Sequence, residues 1–384
     1  MGGFFLPGVA SAAYELVRDN PYRTGTRRLI NRLWTQFSQV SRDPSFQEDA
    51  KENFGQRVWE LLLAGVVSEN GGRLLPSGDD GPDICVQTTN GVVYIEAMSP
   101  GPGQGPDSAQ RQASFGRTGM FVCDDRILLR FTGALREKAG PGGQYDAFVK
   151  RGTLSPEAPF VVAIDGSRVP DADLPGDFDG PRILKALFPI GPLTWRIVPY
   201  SDEEPEVLYP PRPAITKKSG APVATTAFVS GEYPNVSAVI FDATGIHNVN
   251  DLSGRSFHII HNPHARVPLR HGTFRFGWEW RLSGPNDGEQ HFQRTDWRTW
   301  PTKSKWPDSW QRFRLRRGVK LWTSRKRRSA RGISLNAGDT VLVLGRPRAR
   351  RVPVMFCDIK STPTATHMGW LPKKYLCGPL GNDE

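Results

Sequence analysis

Pro82-Asp83-Ile84-Cys85-Val86-Gln87-Thr88-Thr89-Asn90-Gly91-Val92-Val93-Tyr94-Ile95-Glu96-Ala97-Met98 is the stretch that decides the fold of this 384-residue chain. Two apolar runs flank Asn90-Gly91, a dipeptide that accepts the positive φ of a tight type I′ hairpin turn. With Asn90 and Gly91 as the central pair, Thr89 faces Val92, Cys85 faces Glu96 and Asp83 faces Met98. Directly opposed residues share a face of the ribbon, so Asp83, Cys85, Glu96 and Met98 are predicted together. Ile84, Val86, Val93, Ile95 and Ala97 form the other face, an apolar set suited to burial under helices. Two carboxylates at diagonal positions, roughly 7–8 Å apart at the backbone, can hold one hard cation between them.

Helical spacing surrounds this hairpin. Leu29, Ile30, Leu33, Trp34 and Phe37 form the apolar stripe of a helix within residues 22–42. A second helix is expected to start near Ser45, whose S-x-x-E partner is Glu48, and to run to Asn70-Gly71-Gly72. Glu60 shares a face of it with Asn53, Gln56 and Arg57, a face that fits either solvent or the carboxylate hairpin. Residues 99–120, rich in Pro, Gly and Gln, read as a loop passing over the site. The next helix, Asp124 to Lys138, aligns Arg126, Arg130, Ala134 and Lys138 on one stripe. Gly140-Pro141-Gly142-Gly143 ends it, and Phe160-Val161-Val162-Ala163-Ile164 reads as a strand buried on both faces.

Pro82-Asp83, followed by Glu96-Ala97-Met98 at the end of the next strand with Glu60 on a preceding helix, resembles the PD-(D/E)XK, or restriction-endonuclease-like, nuclease superfamily. The resemblance implies an α/β fold with a mixed sheet flanked by helices. It also implies Asp83 and Glu96 as ligands of Mg2+ or Mn2+, Glu60 as an auxiliary acid, and hydrolysis of phosphodiester bonds in DNA or RNA. The family's lysine, two residues after the glutamate, is here Met98, whose thioether neither donates a hydrogen bond nor carries charge. Some members of the superfamily take this lysine from the following helix, which makes Lys138 the candidate. The competing role for Lys138 is a solvated cation favouring the helix dipole. The competing reading of the whole is a catalytically inactive nuclease-fold protein that acts as a nucleic-acid- or protein-binding adaptor.

Charge is unevenly distributed. The chain carries a net +11, and residues 311–351 hold fourteen Lys and Arg against one acid, Asp339, so the remainder is slightly acidic. Such asymmetry points to a polyanion, most simply nucleic acid, contacted by Arg325, Lys326, Arg327, Arg328, Arg348, Arg350 and Arg351. Leu335-x-x-Gly338-Asp339-x-Val341-x-Val343 and Gly369-Trp370-Leu371-Pro372-x-x-Tyr375-Leu376 resemble a Src-homology-3-like barrel, which also implies a protein partner. Its acidic peptide-binding loop is replaced by the basic Arg325–Arg328 run, and its paired tryptophans by Met355-Phe356.

The expected organisation is a nuclease-like core at 20–200, a β-rich extension at 201–282, a Trp/Pro-rich linker at 283–312 and a basic all-β barrel at 313–384. Val236–Phe241, Ser256–His261 and Thr273–Leu282 are the strands expected in the extension. His258, His261, His264 and His271 lie close in sequence, but a period of two scatters them, and zinc is not inferred. Cys85, Cys123, Cys357 and Cys377 form no CxxC pair, which fits a reducing, cytoplasmic setting. No apolar run approaches the length of a membrane span.

Overall fold

In the computed structural model the chain divides into two compact units, Met1–Arg298 and Thr299–Glu384. The structure describes residues 3–77, 80–109, 124–174, 180–196, 206–246, 252–286 and 289–297, and in the second unit the backbone of the strands alone. The first unit opens with four helices, α1 (Ala12–Asp19), α2 (Thr24–Phe37), α3 (Phe46–Glu52) and α4 (Phe54–Glu69). Three strands follow, β1 (Arg73–Leu75), β2 (Ile84–Thr88) and β3 (Gly91–Met98), then α5 (Asp124–Ala139), α6 (Gln144–Arg151), β4 (Phe160–Asp165) and α7 (Leu184–Leu187). Two small hairpins, β5 (Thr194–Arg196) with β6 (Glu206–Leu208) and β7 (Ala214–Thr216) with β8 (Pro222–Ala224), precede β9 (Ala238–Asp242), β10 (His258–His261), β11 (Trp278–Asn286) and β12 (Glu289–Asp296).

One mixed sheet of eight strands, in the order β1-β2-β3-β4-β9-β10-β11-β12, organises this α/β unit. Strands β3, β4 and β9 run parallel at its centre, so Met98, Asp165 and Asp242 end side by side along one edge. Period-two geometry sends alternate residues of β4 into two cores. Val161 and Ala163 join Ile84, Val86, Val93, Ile95 and Ala97 against α2 to α4. Phe160, Val162 and Ile164 join Val239, Phe241 and Ile260 against α5 to α7. Burial on both faces explains the uninterrupted apolar run, every residue of which is inaccessible to solvent. Truncating one of the interdigitated side chains, such as Leu61, costs about 2–5 kcal/mol.

The hairpin forms, two positions out of the expected register. Thr89 and Asn90 are the turn, Thr88 pairs with Gly91, Cys85 with Tyr94 and Ile84 with Ile95. Neither turn residue adopts positive φ; Gly91 does, at 112°. Thr88 fixes this geometry, because its Oγ1 accepts from the Asn90 N–H at 3.1 Å and donates to the Gly91 carbonyl at 2.8 Å. A slip of two residues preserves the faces, whereas a slip of one would have inverted them. Asp83, Cys85, Glu96 and Met98 therefore stay together, with Glu96 rather than Met98 opposite Asp83.

The long helix expected from Ser45 is two helices broken at Asn53, whose backbone leaves the helical region at φ −102° and ψ 40°. The capping box does not form, since Ser45 Oγ donates to Asp43 Oδ1 at 2.6 Å instead. Residues 283–286 and 289–296, expected within a linker, belong to the antiparallel strands β11 and β12. The strands expected between residues 236 and 282 are β9, β10 and β11, each bonded into the central sheet.

In the second unit, seven strands form an antiparallel sheet: β13 (Gln311–Leu315), β14 (Val319–Trp322), β15 (Ala330–Leu335), β16 (Thr340–Val343), β17 (Arg351–Cys357), β18 (Thr366–Pro372) and β19 (Leu376–Pro379). Their order is β15-β14-β18-β17-β16-β13-β19. Arg351 opens β17, while Arg325, Lys326, Arg327, Arg328, Arg348 and Arg350 lie outside the described residues. Among the described residues no helix is long and apolar enough to cross a membrane.

Candidate active site

Four elements bring Glu60, Asp83, Glu96 and Lys138 to one edge of the sheet. Asp83 sits just before β2, and extending the ladder one step from Ile84 and Ile95 sets it opposite Glu96. The Asp83 N–H donates to Glu96 Oε2 at 3.3 Å, and Asp83 Oδ2 accepts from the Ala97 N–H at 2.8 Å. These two bonds lock the acids to the hairpin backbone. Lys138, in the last turn of α5, donates from Nζ to Glu96 Oε1 at 2.8 Å and to Gln144 Oε1 at 2.7 Å. Its stripe on the helix is turned inward at this end, since Lys138 and Ala134 are both buried.

Glu60 also faces inward and is 2% exposed. Gln56, one turn earlier on α4, donates from Nε2 to Glu60 Oε1 and to the Ala97 carbonyl, both at 3.0 Å. Its Oε1 accepts from the Ser99 N–H at 2.8 Å. A single amide thus fastens α4 to the end of β3. Arg57 bonds Glu60 Oε2 at 3.1 Å but is shared with Asp43 and Asp49. Ser99 Oγ continues the network by donating to Asp165 Oδ2 at 2.7 Å.

The electrostatics follow from crowding. Burial, and then the neighbouring Asp83, push the Glu60 carboxyl up to about 8. The same two causes push Glu96 up to about 8 against the opposing pull of Lys138. Asp83 is raised by burial as well, although Lys138 and the Ala97 N–H oppose the shift. For Lys138, burial disfavours the ammonium, but Glu96 and Asp83 outweigh it and its affinity for the proton rises. Three carboxyls therefore face one committed lysine and a divided arginine, a donor set whose excess negative charge a divalent cation would offset.

Asp83 and Glu96 offer hard oxygens of the kind Mg2+ and Mn2+ take, and Mg2+ needs only one or two carboxylates beside water and phosphate oxygens. Among the described residues no three His, Cys, Asp or Glu side chains converge closely enough to enclose a metal ion. A cation held here would therefore rest on Asp83 and Glu96 alone, with other oxygens completing its shell. Met98, two residues after Glu96, is half-buried and packs with the core on the α5 side.

Gln56 and Gln144 escaped the sequence reading as site residues. Gln56 carried a signal, its i, i+4 spacing to Glu60, whereas Gln144 is placed by the turn after α5. The four histidines do not converge on one point. His261 Nε2 pairs with Glu279 Oε1 at 2.6 Å and His271 Nε2 with Glu279 Oε2 at 3.3 Å. His258 Nδ1 accepts from Trp280 Nε1 at 3.0 Å, and the His264 N–H caps back onto Asn262 Oδ1 at 2.9 Å. No protein-family model, curated protein sequence or solved structure matches this chain, so its function has to be read from the site itself.

Proposed function

We propose that the first unit is a metal-dependent phosphodiesterase site of the PD-(D/E)XK, restriction-endonuclease-like kind, acting on DNA or RNA. The observation that carries this reading is the 2.8 Å contact between Lys138 Nζ and Glu96 Oε1, which puts an ammonium from α5 on the carboxylate pair in place of Met98. Asp83 and Glu96 would hold Mg2+ or Mn2+, whose charge would polarise the phosphoryl oxygens and lower the pKa of a bound water. Lys138 has three N–H donors, two of which are used by Glu96 and Gln144. The third is suited to orienting an attacking water against the phosphorus. Glu60, which holds its proton to about 8, serves as the auxiliary acid beside Asp83, and Gln56 fixes its carboxyl.

The second unit is read as a Src-homology-3-like barrel whose basic run contacts nucleic acid or an acidic partner. One observation favours the non-catalytic adaptor: with Met98 at the family's lysine position, the motif's own strand supplies no cation. Cleavage of plasmid, linear DNA and RNA by the full chain, with Mg2+ or Mn2+ and with EDTA, separates the two readings. The nuclease reading expects metal-dependent cleavage that disappears in Asp83→Ala. Equal cleavage by the two proteins, or none by either, would leave the adaptor.

A further inference from the structure

At the other end of the sheet, a cavity of about 420 Å³ opens where β9, β10 and β11 meet the edge that carries the carboxylates. Its lining includes Trp278, Trp280, Arg294, Arg255, His258 and Asp242. Trp278 and Trp280 are two apart on β11 and so present their indoles on one face. Arg294, which β12 sets opposite Trp280, lays its guanidinium 4.2 Å from the Trp278 ring centroid and 5.2 Å from that of Trp280. Cation–π contact holds this guanidinium in place, and the planar fork of N–H donors is matched to a phosphate group. Arg255 stands exposed at the rim, and Arg182, paired with Asp124, adds a third guanidinium deeper in. His258 lines the same wall, its Nδ1 accepting from Trp280 Nε1 at 3.0 Å.

Indoles and guanidiniums in one cavity recognise a planar ring that carries an anion. Aromatic faces stack on any nucleobase, and arginine forks take phosphate. The cavity volume falls within the range usual for small-molecule sites, roughly 300–1,000 Å³. We propose that this cavity binds a nucleoside monophosphate unit, with the base stacked on the Arg294 guanidinium, which Trp278 and Trp280 back, and the phosphate on Arg255 and the N–H edge of Arg294. Such a unit comes either from a free nucleotide or from one residue of a polynucleotide.

Sheet geometry connects the cavity to the carboxylate site. The residues that begin β10 and β11, His258 and Trp278, lie level with the end of β9, and Met98 and Trp278 pack with the same core. Four strand spacings separate β3 from β11, a distance on the order of 19 Å. A strand bound in the cavity would therefore run toward Glu96 along one edge of one sheet. This connection rests on the nuclease reading, whereas binding in the cavity does not.

Equilibrium dialysis of the full chain in EDTA against labelled AMP and against the 5′-phosphorylated tetranucleotide pA4 tests the site without cleavage. The expected result is saturable binding at one site per chain, weakened at least tenfold in Arg294→Gln and Trp278→Leu and unchanged in Glu96→Gln. Adenosine and inorganic phosphate should each bind at least tenfold more weakly than AMP. Arg255→Gln alters an exposed side chain, so its expected loss of at least threefold is readable even if a Trp278 variant unfolds. Tighter binding of pA4 than of AMP identifies a polynucleotide as the source, and the reverse identifies a free nucleotide. The proposal is overturned if folded wild type retains neither probe at millimolar concentration, if the Arg294 and Arg255 variants bind as wild type does, or if inorganic phosphate matches AMP. Binding in EDTA together with absent metal-dependent cleavage would sink the nuclease reading alone.

Discussion

Glu60 and Glu279 are glutamates of nearly equal burial, 2% and 1% exposed, and their surroundings are opposite. Glu279, on β11, collects donors: His261, His271, the Gly272 N–H at 3.0 and 3.1 Å, and Trp297 Nε1 at 2.6 Å. Burial alone would raise its pKa, but these partners, His261 first, hold the carboxyl below its ordinary range. Glu60 has Gln56 and a shared Arg57 and faces another acid, and its carboxyl goes up to about 8. A fully satisfied buried carboxylate ties a fold together, whereas a crowded one is tolerated for what it does. That contrast fits a structural role for the histidine and tryptophan cluster and, on the nuclease reading proposed above, a chemical role for the carboxylate edge.

The largest effect expected is on the structural side. Glu279→Ala should cost about 3–5 kcal/mol, because it removes the carboxylate on which His261, His271, the Gly272 N–H and the Trp297 indole all converge. Glu60→Gln should be near neutral, since a carboxyl that holds its proton to about 8 is already uncharged at neutral pH and the amide has the same shape. Urea unfolding of both variants at neutral pH, compared by midpoint and slope, checks the pair. Similar losses in the two variants would erase the contrast.

Catalysis should show the reverse ranking. Lys138→Ala is expected to lower the cleavage rate 10²–10³-fold, about 2.7–4 kcal/mol, the usual effect of removing one preorganised donor. Glu279→Gln, if it folds, should retain a rate within a few fold of wild type. Single-turnover cleavage with Mg2+ separates the two.

The hairpin face was legible because period-two alternation survives a slip of two residues, and β4 because burial on both faces leaves an unbroken apolar run. Register was not legible, since it depended on the Thr88 hydroxyl bonding its own turn. Lys138 was legible as a member of a stripe, but its inward direction is fixed by packing between α5 and α6. Glu279 carried no signal at all. Its partners His261, His271, Gly272 and Trp297 come from separate segments that only the folded sheet brings together.

Metal binding sharpens the comparison further. At a Mg2+ concentration 100 times the dissociation constant, stability should rise by about 2.7 kcal/mol. The Asp83→Asn, Glu96→Gln double variant should show no rise, and Glu279→Gln should keep it. Thermal unfolding with and without Mg2+ measures this, and an equal response in all three proteins would place the metal elsewhere.

Proton linkage distinguishes the two glutamates by sign. Glu60 titrates at about 8 in the folded state and at its ordinary value of 4.5 when unfolded, so the folded chain holds the extra proton between those limits. Its contribution to stability is present below pH 4.5 and declines as pH rises toward 8. Glu279, lowered in the folded state, contributes stability above pH 4.5 that disappears as pH falls through its folded pKa. Metal-free protein should therefore lose melting temperature on both limbs, with Glu60→Gln flattening the alkaline limb and Glu279→Gln the acid one. Mg2+ should oppose the alkaline decline as well, because it binds the deprotonated carboxylates that rising pH exposes. If Glu60→Gln altered the acid limb instead, Glu60 would be a satisfied carboxylate like Glu279, and the chemical role assigned to its edge of the sheet would pass to Asp83 and Glu96 alone.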